Sequence, residues 1–105
     1  MFIRAKVATL KYSPAQVHRS TDADGNTIYE IEVPGVDPTD IDLHTQGEAI
    51  RCQFSRNETE GAVFLNPGNE FDLERTTADL KHGMLTVRVP PKKEHRKKKI
   101  PIALG

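Results

Sequence analysis

The chain has 105 residues, a mass of 11.7 kDa and a formal net charge of zero, which is the size of one domain. Hydrophobic residues make up 36% of the sequence and charged residues 29%, which is low for a tightly packed globule but excludes a wholly disordered chain. The single cysteine, Cys52, excludes a disulfide framework and a multi-cysteine metal site, and no apolar run is long enough for a membrane span.

The first 14 residues are interpreted as a short N-terminal arm. They lack the apolar core of a secretion signal, and a lone cysteine fits a reducing compartment, so we expect a cytoplasmic protein. Ile3, Val7 and Leu10 lie at helical spacing, but a helix of this length would be marginal on its own.

Alternation of apolar and polar residues dominates the sequence from residue 15 to residue 90. Residues 15–21 and 28–33 are predicted to pair as a hairpin through the turn DADGN at 22–26. That turn lacks the glycine and glutamate positions of a calcium loop. Further short strands are predicted at residues 41–43, 50–54, 71–73, 78–80 and 85–89.

Residues 57–70 are interpreted as a loop of 14 residues, a length that usually carries function or disorder. Its apolar run of Val63, Phe64 and Leu65 could form an extra strand that pairs with another chain. Six or seven short strands at this spacing predict an all-β fold, a two-layer antiparallel sandwich over residues 15–90. Residues 91–105 then form a basic C-terminal tether and tail.

The charges are unevenly distributed along the chain. Residues 20–50 hold eight acidic residues and no lysine or arginine, whereas residues 92–99 hold six basic residues and one glutamate. Such a basic block is typical of a solvated tail, and composition alone leaves nucleic acid, a membrane surface or the acidic part of another copy open as its partner.

No catalytic signature is present in the sequence. There is no phosphate-binding glycine loop, and Cys52 is predicted to face inward between Ile50 and Phe54 as a packing residue. We therefore expect neither an enzyme nor a metal or other cofactor. The histidines, which lack metal-ligand spacing, are His18, His44, His82 and His95.

Two large aliphatic residues, Ile100 and Ile102, follow the charged tether. In an extended chain both face the same side, and Pro101 between them restricts the backbone before any docking. The tether of nine residues from Pro91 to Lys99 can reach about 30 Å, enough to cross to a neighbouring subunit. A last strand folding back on its own sheet is the alternative.

Three stretches of the sequence carry a family pattern. Residues 29–36 read YEIEVPGV and are followed by Asp40 and Ile41, residues 78–90 read ADLKHGMLTVRVP, and residues 100–102 read IPI. In this order they resemble the "E-x-x-x-P-G" strand, the "A-x-x-x-n-G-v-L" signature and the C-terminal Ile-x-Ile anchor of the small heat-shock proteins, which are built around the α-crystallin domain.

The resemblance implies an immunoglobulin-like sandwich that forms dimers and larger homo-oligomers, and an ATP-independent holdase activity that captures unfolding client proteins in the stress response. It implies that Ile100, Pro101 and Ile102 plug an edge groove of a neighbour, whose walls by position are Ile41, Leu43, Ala78 and Leu80. It further implies that residues 63–65 are a shortened form of a strand exchanged in the dimer. The arm residues that by position would contact clients are Phe2, Ile3, Val7 and Leu10.

Rival interpretations make different predictions. A co-chaperone-like sandwich module would share the fold but lack the Ile-x-Ile anchor, and would be a monomer. A nucleic-acid binder would use the basic residues 92–99, but the absence of aromatic residues near them and the acidic body are unfavourable. We therefore expect no nucleic-acid partner and no membrane partner.

Overall fold

The computed structural model describes residues 11–12, 16–56, 59–93 and 100–104. These residues form two four-stranded sheets and two short 3₁₀ turns, with no α-helix among them. The strands are β1 (Lys11–Tyr12), β2 (Val17–Thr21), β3 (Thr27–Glu32), β4 (Ile41–Gln46), β5 (Ala49–Arg56), β6 (Thr59–Leu65), β7 (Thr77–Lys81) and β8 (Met84–Val89), and the 3₁₀ turns are Pro38–Asp40 and Leu73–Arg75.

The strand order is β1-β6-β5-β4 in the first sheet and β2-β3-β8-β7 in the second. Neighbouring strands are antiparallel except β1, which runs parallel to β6. Strands β4 and β7 are therefore edge strands, one in each sheet. The predicted all-β architecture of two antiparallel layers is confirmed.

The core lies between the two sheets and is built from alternate residues of the central strands. Ile31 of β3 pairs with Leu85 of β8, and both belong to one buried cluster with Cys52 and Ile50 of β5. Because side chains alternate across a strand, this single face of each sheet is apolar while the other face is polar. The period-two pattern thus identified the inward residues of these strands.

One side of the sandwich is bridged by Arg19 of the edge strand β2. Its guanidinium carbon lies 5.5 Å from the ring centroid of Tyr29, and its Nη2 donates a hydrogen bond of 2.9 Å to the carbonyl of Pro67 beyond β6. Tyr29 belongs to the core cluster, and its burial raises the pKa of the phenol although the Arg19 charge acts in the opposite direction. Arg19 therefore connects the two sheets on this side.

The predicted loop over residues 57–70 is wrong, because residues 59–65 form strand β6. Strand β6 pairs with β5 of the same chain along its whole length, with Phe64 opposite Arg51 and Leu65 opposite Ile50. The glycine at 61, which lies opposite Phe54, and the run of three apolar residues obscured the alternation.

The predicted strand at residues 71–73 is also wrong. Phe71 makes an isolated bridge with Pro91, and the 3₁₀ turn Leu73–Arg75 follows. The turn forms because the Asp72 carboxylate accepts a hydrogen bond of 3.1 Å from the Glu74 amide, a capping contact that competes with strand pairing. At the other end of the chain, Lys11 and Tyr12 form a strand, whereas Ile3, Val7 and Leu10 lie outside the described residues.

The predicted hairpin between β2 and β3 is confirmed, and Asp22 holds its turn. The Asp22 carboxylate accepts hydrogen bonds from the Asn26 side chain at 2.9 Å and from the Asn26 and Asp24 amides at 3.0 Å, while Arg88 Nε lies 3.7 Å away. The side-chain bond from Asn26 is the main cause that lowers the pKa of this carboxyl, and the two amides and Arg88 add to it.

We expect Asp22→Ala to lower the urea midpoint of unfolding at pH 7, with a smaller difference from the unsubstituted chain in acid. Because the pKa is depressed in the folded state, the stabilisation is present above the unfolded pKa of about 3.8 and is lost as the pH falls through the folded value. Asp24→Asn in the same turn is the matched control. A midpoint difference that stays constant from pH 7 to pH 2 would contradict this account.

Candidate docking groove

The two edge strands β4 and β7 lie on the same side of the sandwich and leave a groove between them. Leu43 of β4 and Ala78 of β7 face each other across a depression of about 190 Å³, with the buried Ile50 beneath them. The lining consists of Leu43, His44, Thr45, Ile50, Leu73, Thr76, Thr77 and Ala78.

The four groove residues predicted from the sequence lie on the two strands that form these walls. Leu43 pairs with the buried Cys52, and Ala78 pairs with the buried Val87, so both point inward from an edge. Ile41 and Leu80 lie two residues further along the same strands, where they are half-buried and packed against the core cluster. The structure thus brings Leu43 and Ala78 into one depression, with Ile41 and Leu80 next to them.

The sequence analysis missed the part of the groove beyond Leu43. A second depression of about 290 Å³ adjoins the first, shares Thr45 and Leu73 with it, and includes Phe71 and Lys92 in its lining. Leu73 reaches this position because it lies on the capped 3₁₀ turn. The capping pattern, Asp72 followed by Glu74 two residues later, was the available signal for a turn in the sequence.

The rim of the groove is mainly acidic. Carboxylates lie on β4, on the β4–β5 turn, on the 3₁₀ turn and on β7, and the nearby cations within the described ranges are Lys81 on β7, Arg75 and Lys92. The His44 imidazole lies 3.6 Å from the Asp42 carboxylate on the outer face of β4. An apolar floor with a negative rim suits an apolar segment that carries positive charge. The rim carboxylates are Asp42, Glu48, Asp72, Glu74 and Asp79.

The predicted anchor residues are exposed. The side chains of Ile100 and Ile102 are 81% and 84% exposed, so they are not packed into the sandwich of their own chain. The start of the tether is fixed beside the groove, because Pro91 bridges to Phe71 and the Lys92 amide donates a hydrogen bond of 2.9 Å to the Glu70 carbonyl. The rest of the tether, residues 94–99, lies outside the described residues.

The three residues of the predicted dimer loop point in two directions from strand β6. Val63 and Leu65 face the core, where Leu65 is fully covered. Phe64 points outward, is 58% exposed, and has the Arg51 guanidinium carbon 5.7 Å from its ring centroid. Phe64 is therefore the member of this run that is accessible to another chain. Phe2, Ile3, Val7 and Leu10 of the predicted client-contact arm lie outside the described residues.

Cys52 lies in the core beneath Leu43 and has no accessible surface. Burial raises the pKa of its thiol to about 11, so the neutral form dominates at physiological pH and reactivity is suppressed. The prediction of an inward packing cysteine is confirmed. Across the ranges that the structure describes, no group of three or more His, Cys, Asp or Glu side chains is arranged to hold a metal ion.

The described part of the chain also contains no helix with the length and hydropathy needed to cross a bilayer.

Comparison with solved structures identifies the fold, although comparison of the sequence alone finds no match. No protein-family model matches the chain, and no curated protein sequence is significantly similar to it. Solved structures do resemble it. HSP18.5 from E. histolytica is 12% identical with a TM-score of 0.71, and the match covers 86% of this chain and 99% of that protein.

Two further structures give the same result. Heat shock protein 16.0 from Schizosaccharomyces pombe is 18% identical with a TM-score of 0.69, covering 88% of this chain and 77% of that protein. A small heat-shock protein from Xylella fastidiosa is 15% identical with a TM-score of 0.68, covering 86% and 96% respectively. The chain therefore has the β-sandwich fold of the small heat-shock proteins, the α-crystallin domain, which confirms the resemblance found in the sequence at the level of the fold.

Proposed function

We propose that the chain is an ATP-independent holdase chaperone, without enzymatic activity or cofactor, that binds partly unfolded proteins and prevents their aggregation. The fold shared with small heat-shock proteins supports the class. The observation that carries the proposal is the open groove between β4 and β7, whose apolar lining residues Leu43, Leu73 and Ala78 are partly or fully exposed at the edge of the sandwich. An uncovered apolar edge is an association site, and unfolding proteins expose the apolar segments that would fill it.

In the resting protein the groove is filled by the tail of a neighbouring subunit. Ile100 and Ile102 enter from the same side of an extended segment, and Pro101 reduces the conformational entropy that the segment loses. Burying both isoleucines contributes about 3–6 kcal/mol before the costs of ordering are subtracted. The net contact is weak and reversible, so release of a tail exposes the groove to a client.

Charge guides this docking. The basic tether that precedes Ile100 approaches the acidic rim, where Asp40 and Asp42 stand exposed at the start of β4. Opposite charges at the contact accelerate and orient association more than they strengthen it. The alternative role of residues 92–99 is solubility of the tail alone.

The oligomer is built from dimers in the cytoplasm. Phe64 on the outer face of β6 is the residue of the 63–65 run that supplies an exposed apolar contact for the dimer. The free thiol of Cys52 fits a reducing compartment. Clients also contact the arm through Phe2, Ile3, Val7 and Leu10.

A co-chaperone-like binding module is the second candidate. Exposed Ile100 and Ile102 on a charged tether argue against it, because such a module needs no reciprocal anchor. The mass in solution distinguishes the two candidates, because the binding module would be a monomer whereas the holdase would be an oligomer.

The variant that combines Ile100→Ser with Ile102→Ser should reduce the oligomer to dimers while the sandwich stays folded. The reason is that the substitutions remove the apolar surface of the plug and touch no buried residue. Light scattering measures the mass, and circular dichroism checks the fold. The matched control is Ala103→Ser, because in an extended tail residue 103 faces away from the side on which Ile100 and Ile102 lie. If the mass of the oligomer is unchanged in the double variant, Ile100 and Ile102 do not hold the assembly together.

Reassembly of dissociated subunits should become slower as salt increases from about 0.02 M to about 0.5 M, because the attraction that accelerates docking is screened as the Debye length falls from about 20 Å to about 4 Å. Fluorescence transfer between two labelled populations gives the rate. Asp42→Asn should reduce the salt dependence, whereas Asp24→Asn in the distant hairpin turn should leave it unchanged. A rate that is independent of salt would contradict guidance by charge.

The chain should suppress thermal aggregation of a heat-sensitive enzyme such as citrate synthase at near-equal molar ratio, in buffer without ATP. Turbidity follows the aggregation, and addition of ATP should change nothing. An equal mass of lysozyme controls for crowding. If turbidity develops at the same rate with and without the chain, the holdase function is excluded even though the fold remains.

A further inference from the structure

A third apolar residue, Leu104, extends the row formed by Ile100 and Ile102. Its side chain is 96% exposed, more than that of either isoleucine. In an extended segment residues 100, 102 and 104 face one side, separated by the smaller Pro101 and Ala103. The tail therefore presents three large aliphatic side chains at a spacing of about 7 Å.

The groove offers inward positions at the same spacing. Along β4 these are Ile41, Leu43 and Thr45, which span about 13 Å, and Leu80 and Ala78 face them from β7. Leu43 and Ala78 share one depression, which also joins Thr45 to Leu73. The depressions define two levels, one at Leu43 and Ala78 and one at Thr45 and Leu73. Strand spacing places Ile41 and Leu80 two residues beyond Leu43 and Ala78, and we assign them as the first of three levels.

The third level opens into the larger of the two depressions that line the groove. The adjoining depression of about 290 Å³ has Phe71 and Leu73 as its apolar residues, and the first depression measures about 190 Å³. A leucine side chain fits such a hollow without displacing the core.

We propose that residues 100–104 of a second copy of this chain occupy all three levels, with Leu104 seated at Thr45 and Leu73. The proposal rests on the tail docking described under the proposed function and adds its third contact and its direction. Carboxylates flank both ends of the groove, Asp40 and Asp42 at the first level and Glu48, Asp72 and Glu74 beside Lys92 at the third, so charge does not fix the direction. The direction follows from seating Leu104 in the larger depression.

The third contact sets how long a tail stays docked. Loss of one buried aliphatic side chain, partly offset by the freedom that the tail regains, should weaken docking about tenfold, which corresponds to about 1.4 kcal/mol. Leu104→Ser should therefore raise the concentration at which the oligomer dissociates about tenfold, measured by light scattering across a dilution series. Ala103→Ser should leave it within about twofold. Equal dissociation of the two variants would overturn the role of Leu104.

Cysteine cross-linking of the full chain tests where Leu104 is seated. Two variants, Leu104→Cys and Thr45→Cys, are mixed at concentrations that permit assembly and then oxidised, and a mass tag on one of them distinguishes the mixed dimer on a non-reducing gel. Every cysteine variant also carries Cys52→Ala, because Cys52 lies opposite Leu43 on the neighbouring strand and would otherwise be oxidised with a cysteine at position 43. We expect a mixed dimer from this pair and at least tenfold less from Ala103→Cys with Thr45→Cys.

A second pair separates failure of this inference from failure of the proposed docking. Ile102→Cys with Leu43→Cys reports the second level, which both proposals share. If this pair cross-links and Leu104→Cys with Thr45→Cys does not, the three-level register is wrong while tail docking stands. If neither pair cross-links, docking in this groove fails as well. Cross-linking of Leu104→Cys to Leu80→Cys in place of Thr45→Cys would reverse the tail and overturn the register.

Discussion

The unequal closure of the two sides of the sandwich is the constraint on which the rest of the structure depends. Each sheet ends in an edge strand, which is paired with only one other strand, so its inward side chains are covered from only one direction within the sheet. On the β2 side Arg19 spans the gap, covering Tyr29 and donating a hydrogen bond to the Pro67 carbonyl. On the opposite side Leu43 and Ala78 line a depression over the buried Ile50. Exposing this apolar surface to water is unfavourable, and its burial by a second chain would lower the free energy.

The tail has the properties that this groove requires. A solvated, basic tether would normally end in polar residues, yet it ends in aliphatic side chains at every second position. Their exposure in the single chain and the acidic rim of the groove favour an intermolecular contact. In the docking that we propose, the matched spacing of tail and groove would make the contact specific, and its small net energy would make it reversible.

The strands with strict alternation of apolar and polar residues were predicted correctly from the sequence. The prediction was wrong where a capped turn formed in place of a strand, and where the alternation was broken. Ile31, Cys52 and Val87 lie in the core as their period-two positions indicated. The groove walls were assigned from the family resemblance, and the structure places Leu43 and Ala78 on inward positions of two edge strands. Leu73 was not, since a 3₁₀ turn capped by Asp72 replaced the predicted strand. Strand β6 was missed because its glycine and its apolar run break the pattern, and its pairing with β5 only becomes visible in the folded sheet.

Hydrogen exchange, measured by mass spectrometry above and below the concentration at which the oligomer dissociates, tests most directly whether a second chain covers the open side. The account predicts slower exchange in the assembled state for peptides covering β4 and the segment from Thr76 to Leu80. Peptides from β2, on the side bridged by Arg19, should exchange at the same rate in both states. Protection confined to β2, or none at β4 and β7, would contradict the account.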